Sequence, residues 1–338
     1  MNQGQSIGGI HSKLLIGFWI QLIVFVLPLF SLKLHAQAES EAFGSGSYVS
    51  GDEVLLGRIS AMGSDTLSNV MAVWSFQFSE LHPGVTVEVE GKGSSTAPPG
   101  LIEGTADIGV MSRRMTAAEL LQFSEKYGRK PLAIPVALDA VVLYVNAANP
   151  IKGMSLAEVD GVFSETRLLG GESKNTWGDL GLTGLWALRP ISVYGRNSAS
   201  GTYAFFKGRT LAAGNFRKSV QQIPGSSALV QAVGRDPYAI GYSGIGYKTS
   251  GVRAIPIYGE NRVLFEPNFE NCMNGQYPLA RPIYIYVVDS ELGAISPKIE
   301  AFVRYILSEQ AQEFLAIEGF YPMPRSLAIS MVSRLEQG

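Results

Sequence analysis

The chain has 338 residues, of which 46% are hydrophobic and 17% charged, and its formal net charge is −2. That length exceeds a comfortable single core and points to two lobes, while so small a charge offers no basic surface for nucleic acid. One cysteine, Cys272, excludes an internal disulfide, and three histidines leave little for a zinc site or a His-dependent triad.

Residues 14–32, LLIGFWIQLIVFVLPLFSL, form an apolar run behind Lys13, followed by small residues at Ala36 and Ala38. This is the layout of a secretory signal cleaved near Ala36–Ala38; a retained membrane anchor is the alternative, since the run is long enough to span a bilayer. Removal of residues 1–38 takes Lys13 and Lys33 and no acid. The 27 basic residues fall to 25 against 29 acidic ones, a net of −4. His11 and His35 leave with the signal, so His82 remains, in ELHPGV, where a solvated helix end is expected. Residues 39–50 are small and polar and read as a flexible leader.

EVLLGRIS reads as a strand. Leu67, Val70, Met71, Trp74, Phe78 and Leu81 then recur at helical spacing behind Ser64 and Asp65 as caps. VTVEVEG alternates as a strand; a loop and short helix follow, and then ADIGVMS as a buried strand. TAAELLQFSEKYG predicts a helix stopping at Gly128. LAIPVALDAVVLYVN predicts one long β run or two strands bent near Ala137–Asp139. SLAEVDGVF is a short helix, NTWGDLGLTGLWAL a loop, PISVYG a strand and GTYAFFKGRTL a helix. YAIGYSG and VRAIPIY are strands, the stretch from Gly259 to Ala280 is irregular, and RPIYIYVV is a strand. SPKIEAFVRYILSEQAQEFLAIEG predicts one long helix from Pro297 to Gly319. Alternating strands and helices argue an α/β chain with mostly parallel sheets.

Three places share one design, in which a strand ends, a short Gly/Ser/Thr turn follows and a helix begins: GSDTL (63–67), GKGSST (91–96) and RNSASGT (196–202). Free amides at a helix start, with the helix dipole behind them, favour an anion. Thr66, Ser94, Ser200 and Thr202 would add hydroxyl donors, and Arg196 a permanently charged partner for an oxyanion. Taken singly, each turn reads as a plain cap. Gly91-x-Gly93 and Gly244-x-Gly246 are incomplete dinucleotide fingerprints. Ser198 and Ser200 lack the G-x-S-x-G elbow and a base histidine, which argues against a hydrolase, as does the absence of metal-ligand clusters.

GSDTL, VTVEVEGKGSS, GTADIGVMSR, PVALDAVVLYVN, NTWGDLG, GRNSASGTY, AIGYSGIGY and YPLARPIYIYV occur in the order found in the periplasmic phosphate-binding proteins of bacterial phosphate-specific ABC transporters. The chain resembles that family from about Gly63 to the C-terminal helix, most specifically in Arg-x-x-x-Ser-Gly-Thr. The resemblance implies a type II periplasmic binding protein: two lobes, each a mostly parallel sheet flanked by helices, hinged by two crossovers. Lobe one would be 51–141 with 281–335, and lobe two 142–280. It implies a monomer without cofactor or catalysis that captures inorganic phosphate and docks on ABC permease subunits. The anion contacts fall on Thr66, the Leu67 amide and Ser94 from lobe one, and on Arg196, Ser200, the Gly201 amide and Thr202 from lobe two. Ser112, with Arg113 behind it, stands where the best-known members carry an aspartate that accepts a phosphate proton. Another acceptor is then needed, and Asp139 or Asp65 is the candidate. Binding of another oxyanion, such as sulfate or a phosphonate, and a secreted adhesion or matrix role on the same fold are the alternatives.

Overall fold

A computed structural model describes residues 43–259, 262–288 and 295–335. The expected signal and its cleavage site lie outside the described residues. Among the described residues there are twelve strands: β1 (Gly57–Gly63), β2 (Val85–Glu90), β3 (Ile108–Met111), β4 (Leu132–Asn146), β5 (Met154–Ser155), β6 (Ser192–Arg196), β7 (Gln221–Ile223), β8 (Ala239–Gly244), β9 (Val252–Ile255), β10 (Ile257–Tyr258), β11 (Leu264–Phe265) and β12 (Ala280–Val287). The α-helices are α1 (Ser68–Leu81), α2 (Ala97–Glu103), α3 (Ala117–Tyr127), α4 (Leu156–Phe163), α5 (Gly201–Thr210), α6 (Ser226–Arg235), α7 (Phe269–Met273), α8 (Pro297–Ile306), α9 (Glu309–Ile317) and α10 (Arg325–Leu335).

Nine strands form one sheet in the order β2-β1-β3-β12-β4-β8-β6-β7, with β9 also paired to β4. Its two ends are parallel: β1 with β2 and β3, and β6 with β7 and β8. Its middle is antiparallel, because β4 and β12 carry the chain between the lobes. The first part of β4 pairs with β12, and Val141–Val145 pair with β8. The expected bend is instead a bulge in one continuous strand: Ala137 faces Ile283 and Pro135 faces Tyr284, leaving Val136 unmatched. Pro135 has no N–H to give the ladder, so an irregularity there costs little.

The apolar interior divides between the lobes. One cluster takes buried residues from Leu55 to Ala137 and from Ile283 to Leu335, centred on Trp74, Phe78, Phe302 and Ile306. A second runs from Ala140 to Leu279 around Tyr144, Phe163, Trp177, Phe206 and Tyr242, and a smaller third one, in the first lobe, joins Leu101, Met111, Phe123, Tyr284 and Tyr286. The Trp74 indole donates to the Ala311 carbonyl at 2.9 Å, so its buried polar edge is satisfied.

Several expectations change. Within the expected leader, Phe43–Tyr48 is docked: Ser45 N bonds Leu307 O at 2.7 Å, and Tyr48 packs on Phe78 and Tyr305. His82 is buried rather than solvated, 2.7 Å from the Tyr48 hydroxyl, and desolvation lowers its pKa. The long C-terminal helix is two helices, α8 and α9. Ser308 breaks it by capping α9, its hydroxyl accepting from Ala311 N and donating to Tyr305 O. Helices α6, α7 and α10 are additions to the elements expected from the sequence. The Thr176–Leu188 loop holds two short 3-10 turns around the buried Trp177.

Candidate anion-binding site

The three turns meet where the lobes touch. After β1, Ser64 caps a 3-10 turn over Asp65–Leu67 that runs into α1, its hydroxyl accepting from Thr66 N at 3.2 Å. After β2, Gly93 at φ +113° opens the turn Ser94–Thr96 ahead of α2. A Cβ on Gly93 would lie 2.6 Å from the Ala199 carbonyl of the other lobe, so this glycine permits the close approach that Ser95 N completes by donating to Ala199 O at 3.1 Å. After β6, Ser200 caps α5 and accepts from Thr202 N and Tyr203 N.

Thr66, Leu67, Ser94, Ser112, Asp139, Arg196, Ser200, Gly201 and Thr202 are all buried. Thr66 Oγ1 and Thr202 Oγ1 stand 3.2 Å apart across the lobes. Ser94 Oγ accepts from Ser112 N at 3.0 Å and lies 3.2 Å from Ser112 Oγ, which also takes a bond from Ser64 Oγ at 3.0 Å. Gly201 closes on this pair, for a Cβ there would come within 2.3 Å of Ser94 Oγ and 2.6 Å of Ser112 Oγ. The Leu67 side chain belongs to the lobe-one core, which pins the turn that carries its amide. Arg113 turns away and pairs with Glu119 of α3 at 2.6 Å.

Two buried arginines stand at this meeting point, and the sequence had pointed to one. Arg196 Nη2 donates to Asp65 Oδ1 at 2.6 Å and to Pro224 O at 2.7 Å, and Nη1 to Ser226 Oγ at 2.5 Å. Its Nε is buried without a hydrogen-bond partner. Asp65 also accepts from Ser226 N at 2.9 Å, so a lobe-one carboxylate meets the start of the lobe-two helix α6. The Tyr247 hydroxyl donates to Asp65 O at 2.6 Å; burial, followed by the charge of Asp65, raises its pKa. Arg281, on β12 directly opposite Asp139 on β4, donates to Asp139 Oδ2 from Nε and Nη2 at 3.1 and 2.8 Å. Burial lowers the Arg281 pKa, and Asp139 opposes that fall. Asp139 Oδ1 takes the Ile245 amide at 3.3 Å, so this carboxylate is committed to protein donors rather than standing free as an acceptor.

Ser226 repeats the strand–turn–helix design in IPGSSALV, with Leu229, Val230 and Val233 as the buried face. That signal was present in the sequence. Nothing local marks Arg281, whose place is set by strand register.

A family model for the PBP superfamily domain matches residues 38–310. The phosphate-binding protein PstS of Pseudomonas aeruginosa is 44% identical over 281 residues, covering 82% of this chain and 87% of that protein. Protein SphX of Synechococcus elongatus is 29% identical over 271 residues, 79% of this chain and 77% of that one. Among solved structures, a substrate-binding protein assigned to a phosphate ABC transporter of Clostridium perfringens, with phosphate bound, superposes with a TM-score of 0.68. It is 24% identical and covers 79% of this chain and 100% of its own. An ABC-type phosphate transport receptor from Vibrio cholerae shares the fold at TM-score 0.60 and 23% identity, covering 79% of this chain and 100% of its own. Two lobes joined by antiparallel crossover strands, with paired helix starts facing each other across the junction, agree with these matches: the chain belongs to the PBP superfamily and, within it, to the PstS family of phosphate-binding proteins.

Proposed function

We propose that this chain is an exported solute-binding protein that captures inorganic phosphate between its lobes and delivers it to an ABC permease. The observation that carries the reading is the convergence of helix starts from both lobes on the buried Arg196, whose Nε has no protein partner. Thr66, the Leu67 amide, Ser94 and Ser112 offer donors from lobe one, and Ser200, the Gly201 amide and Thr202 from lobe two. A tetrahedral anion entering the open form exchanges water for these donors, and closure strengthens each contact by excluding solvent. The names of the relatives support phosphate as the ligand and transport as the purpose. The reading contains no catalytic step. Export rests on the apolar run and Ala-Gln-Ala before residue 39; the intact mass of protein recovered from the periplasmic fraction tests it.

Both nearby carboxylates, Asp65 and Asp139, are ion-paired with arginines. A site that offers mainly donors also suits an oxyanion with no proton to place, and this favours sulfate as the second reading. Calorimetric titration of the chain from residue 39 with phosphate, arsenate and sulfate decides between them. Phosphate and arsenate should bind one to one and more tightly than sulfate; a sulfate preference, or no heat with phosphate, would overturn the first reading.

A further inference from the structure

The Asp139–Arg281 pair touches the hydroxyl cluster at two points. Arg281 Nη2 donates to Thr202 Oγ1 at 2.8 Å, across the lobes, and Nη1 to the Ser112 carbonyl at 2.8 Å. A guanidinium donates and never accepts. The contact therefore takes a lone pair of Thr202 Oγ1 and leaves its hydrogen to point onward, as it can here to Thr66 Oγ1 at 3.2 Å.

The same polarity recurs around the junction. Ser94 Oγ accepts from Ser112 N, Ser64 Oγ from Thr66 N, and Ser200 Oγ from Thr202 N and Tyr203 N. Each of these hydroxyls has an N–H behind it and presents its hydrogen forward. For Ser64, Ser94 and Ser200 backbone amides fix that direction; for Thr202 the donor is a guanidinium of the opposite lobe.

We infer that Arg281 is a positioning residue of the anion site: anchored by Asp139, it holds the Thr202 hydroxyl as a forward donor and ties that donor to lobe one. This rests on the anion-binding reading. It also gives Asp139 a different part from the one expected. With Oδ2 holding two guanidinium N–H groups, Asp139 anchors Arg281 instead of receiving a ligand proton.

Removing one member alone would strand a buried charge, so the test removes both. Asp139→Leu with Arg281→Met is made in the wild-type chain and in a Thr202→Val chain, with cooperative thermal unfolding as the check on folding. Calorimetry with inorganic phosphate is the readout. The pair's loss should weaken phosphate binding about tenfold or more when Thr202 is present. In Thr202→Val the same change should cost less than about threefold, because coupled residues do not add. If the apolar pair unfolds the chain, Arg281→Lys serves in both backgrounds. Its ammonium keeps a charge beside Asp139 but cannot span Asp139, Ser112 O and Thr202 together, so the loss should again depend on Thr202. Equal losses in the two backgrounds, or none in the first, would overturn the positioning role. A wild-type chain that binds no phosphate would instead overturn the reading beneath it.

Discussion

Arg196→Ala tests the site most directly. The residue is 1% exposed and gives three hydrogen bonds to Asp65, Pro224 and Ser226, while its Nε is buried without a hydrogen-bond partner. Truncating one partner of a buried, hydrogen-bonded charge pair costs about 2–5 kcal/mol. At 1.4 kcal/mol per decade, the phosphate Kd should rise roughly 30- to 4,000-fold. Part of that rise is indirect, because the variant strands the Asp65 carboxylate beside the incoming anion. Adding Asp65→Asn removes that repulsion. If Arg196 itself holds the anion, calorimetry on the double variant should still read a loss of about tenfold or more. Unchanged affinity in Arg196→Ala, or recovery to wild type in the double variant, would refute a direct contact.

Three further outcomes follow from the geometry. Gly201→Ala places a Cβ 2.3 Å from Ser94 Oγ, so small-angle scattering with saturating phosphate should show a less compact protein, with affinity down about tenfold or more. Ser308→Ala removes the cap of α9 and should lower the unfolding free energy in urea by about 1 kcal/mol. Burial depresses the His82 pKa below the usual 6.5, so the unfolded chain takes the proton at higher pH than the folded one. Stability should therefore be full above pH 6.5 and decline as pH falls below it, and urea midpoints of His82→Gln should lack that component of the decline.

What the sequence made legible was local. Ser64, Ser94, Ser200 and Gly128 each write a helix boundary in the residues around them, and the strand preceding each turn is marked by its own alternation. Thr66, Ser94, Arg196, Ser200 and Thr202 could therefore be named turn by turn, while the Leu67 and Gly201 amides, Ser112 and Asp139 entered only through the family resemblance. The misses come from longer range. Ser308 looks like mid-helix because Ile306, Leu307, Ala311 and Leu315 keep the apolar period running through it, while its hydroxyl caps a new helix. The leader looked flexible by composition, yet Phe43 and Tyr48 give it aromatic anchors on Phe269 and Phe78.

Arg281 and Asp139 are the clearest case of a site feature written only in register. They sit at the seam where the two larger buried clusters part, between Ala137 and Ala140 on β4 and between Leu279, just ahead of β12, and Ile283 within it. A buried ion pair there is weak support for stability, since desolvation offsets much of the attraction. Its force lies in what it forbids. Sliding β12 along β4 by one residue would set Arg281 against Leu138 or Ala140, and by two against Ala137 or Val141. Every alternative strands two charges in an apolar seam, and the one-residue slips also turn a face of each strand the wrong way. The one register that pairs them is also the register that carries the Arg281 guanidinium to Thr202 Oγ1. The same two side chains thus select the alignment of the crossover strands and deliver a cation to the cleft those strands join.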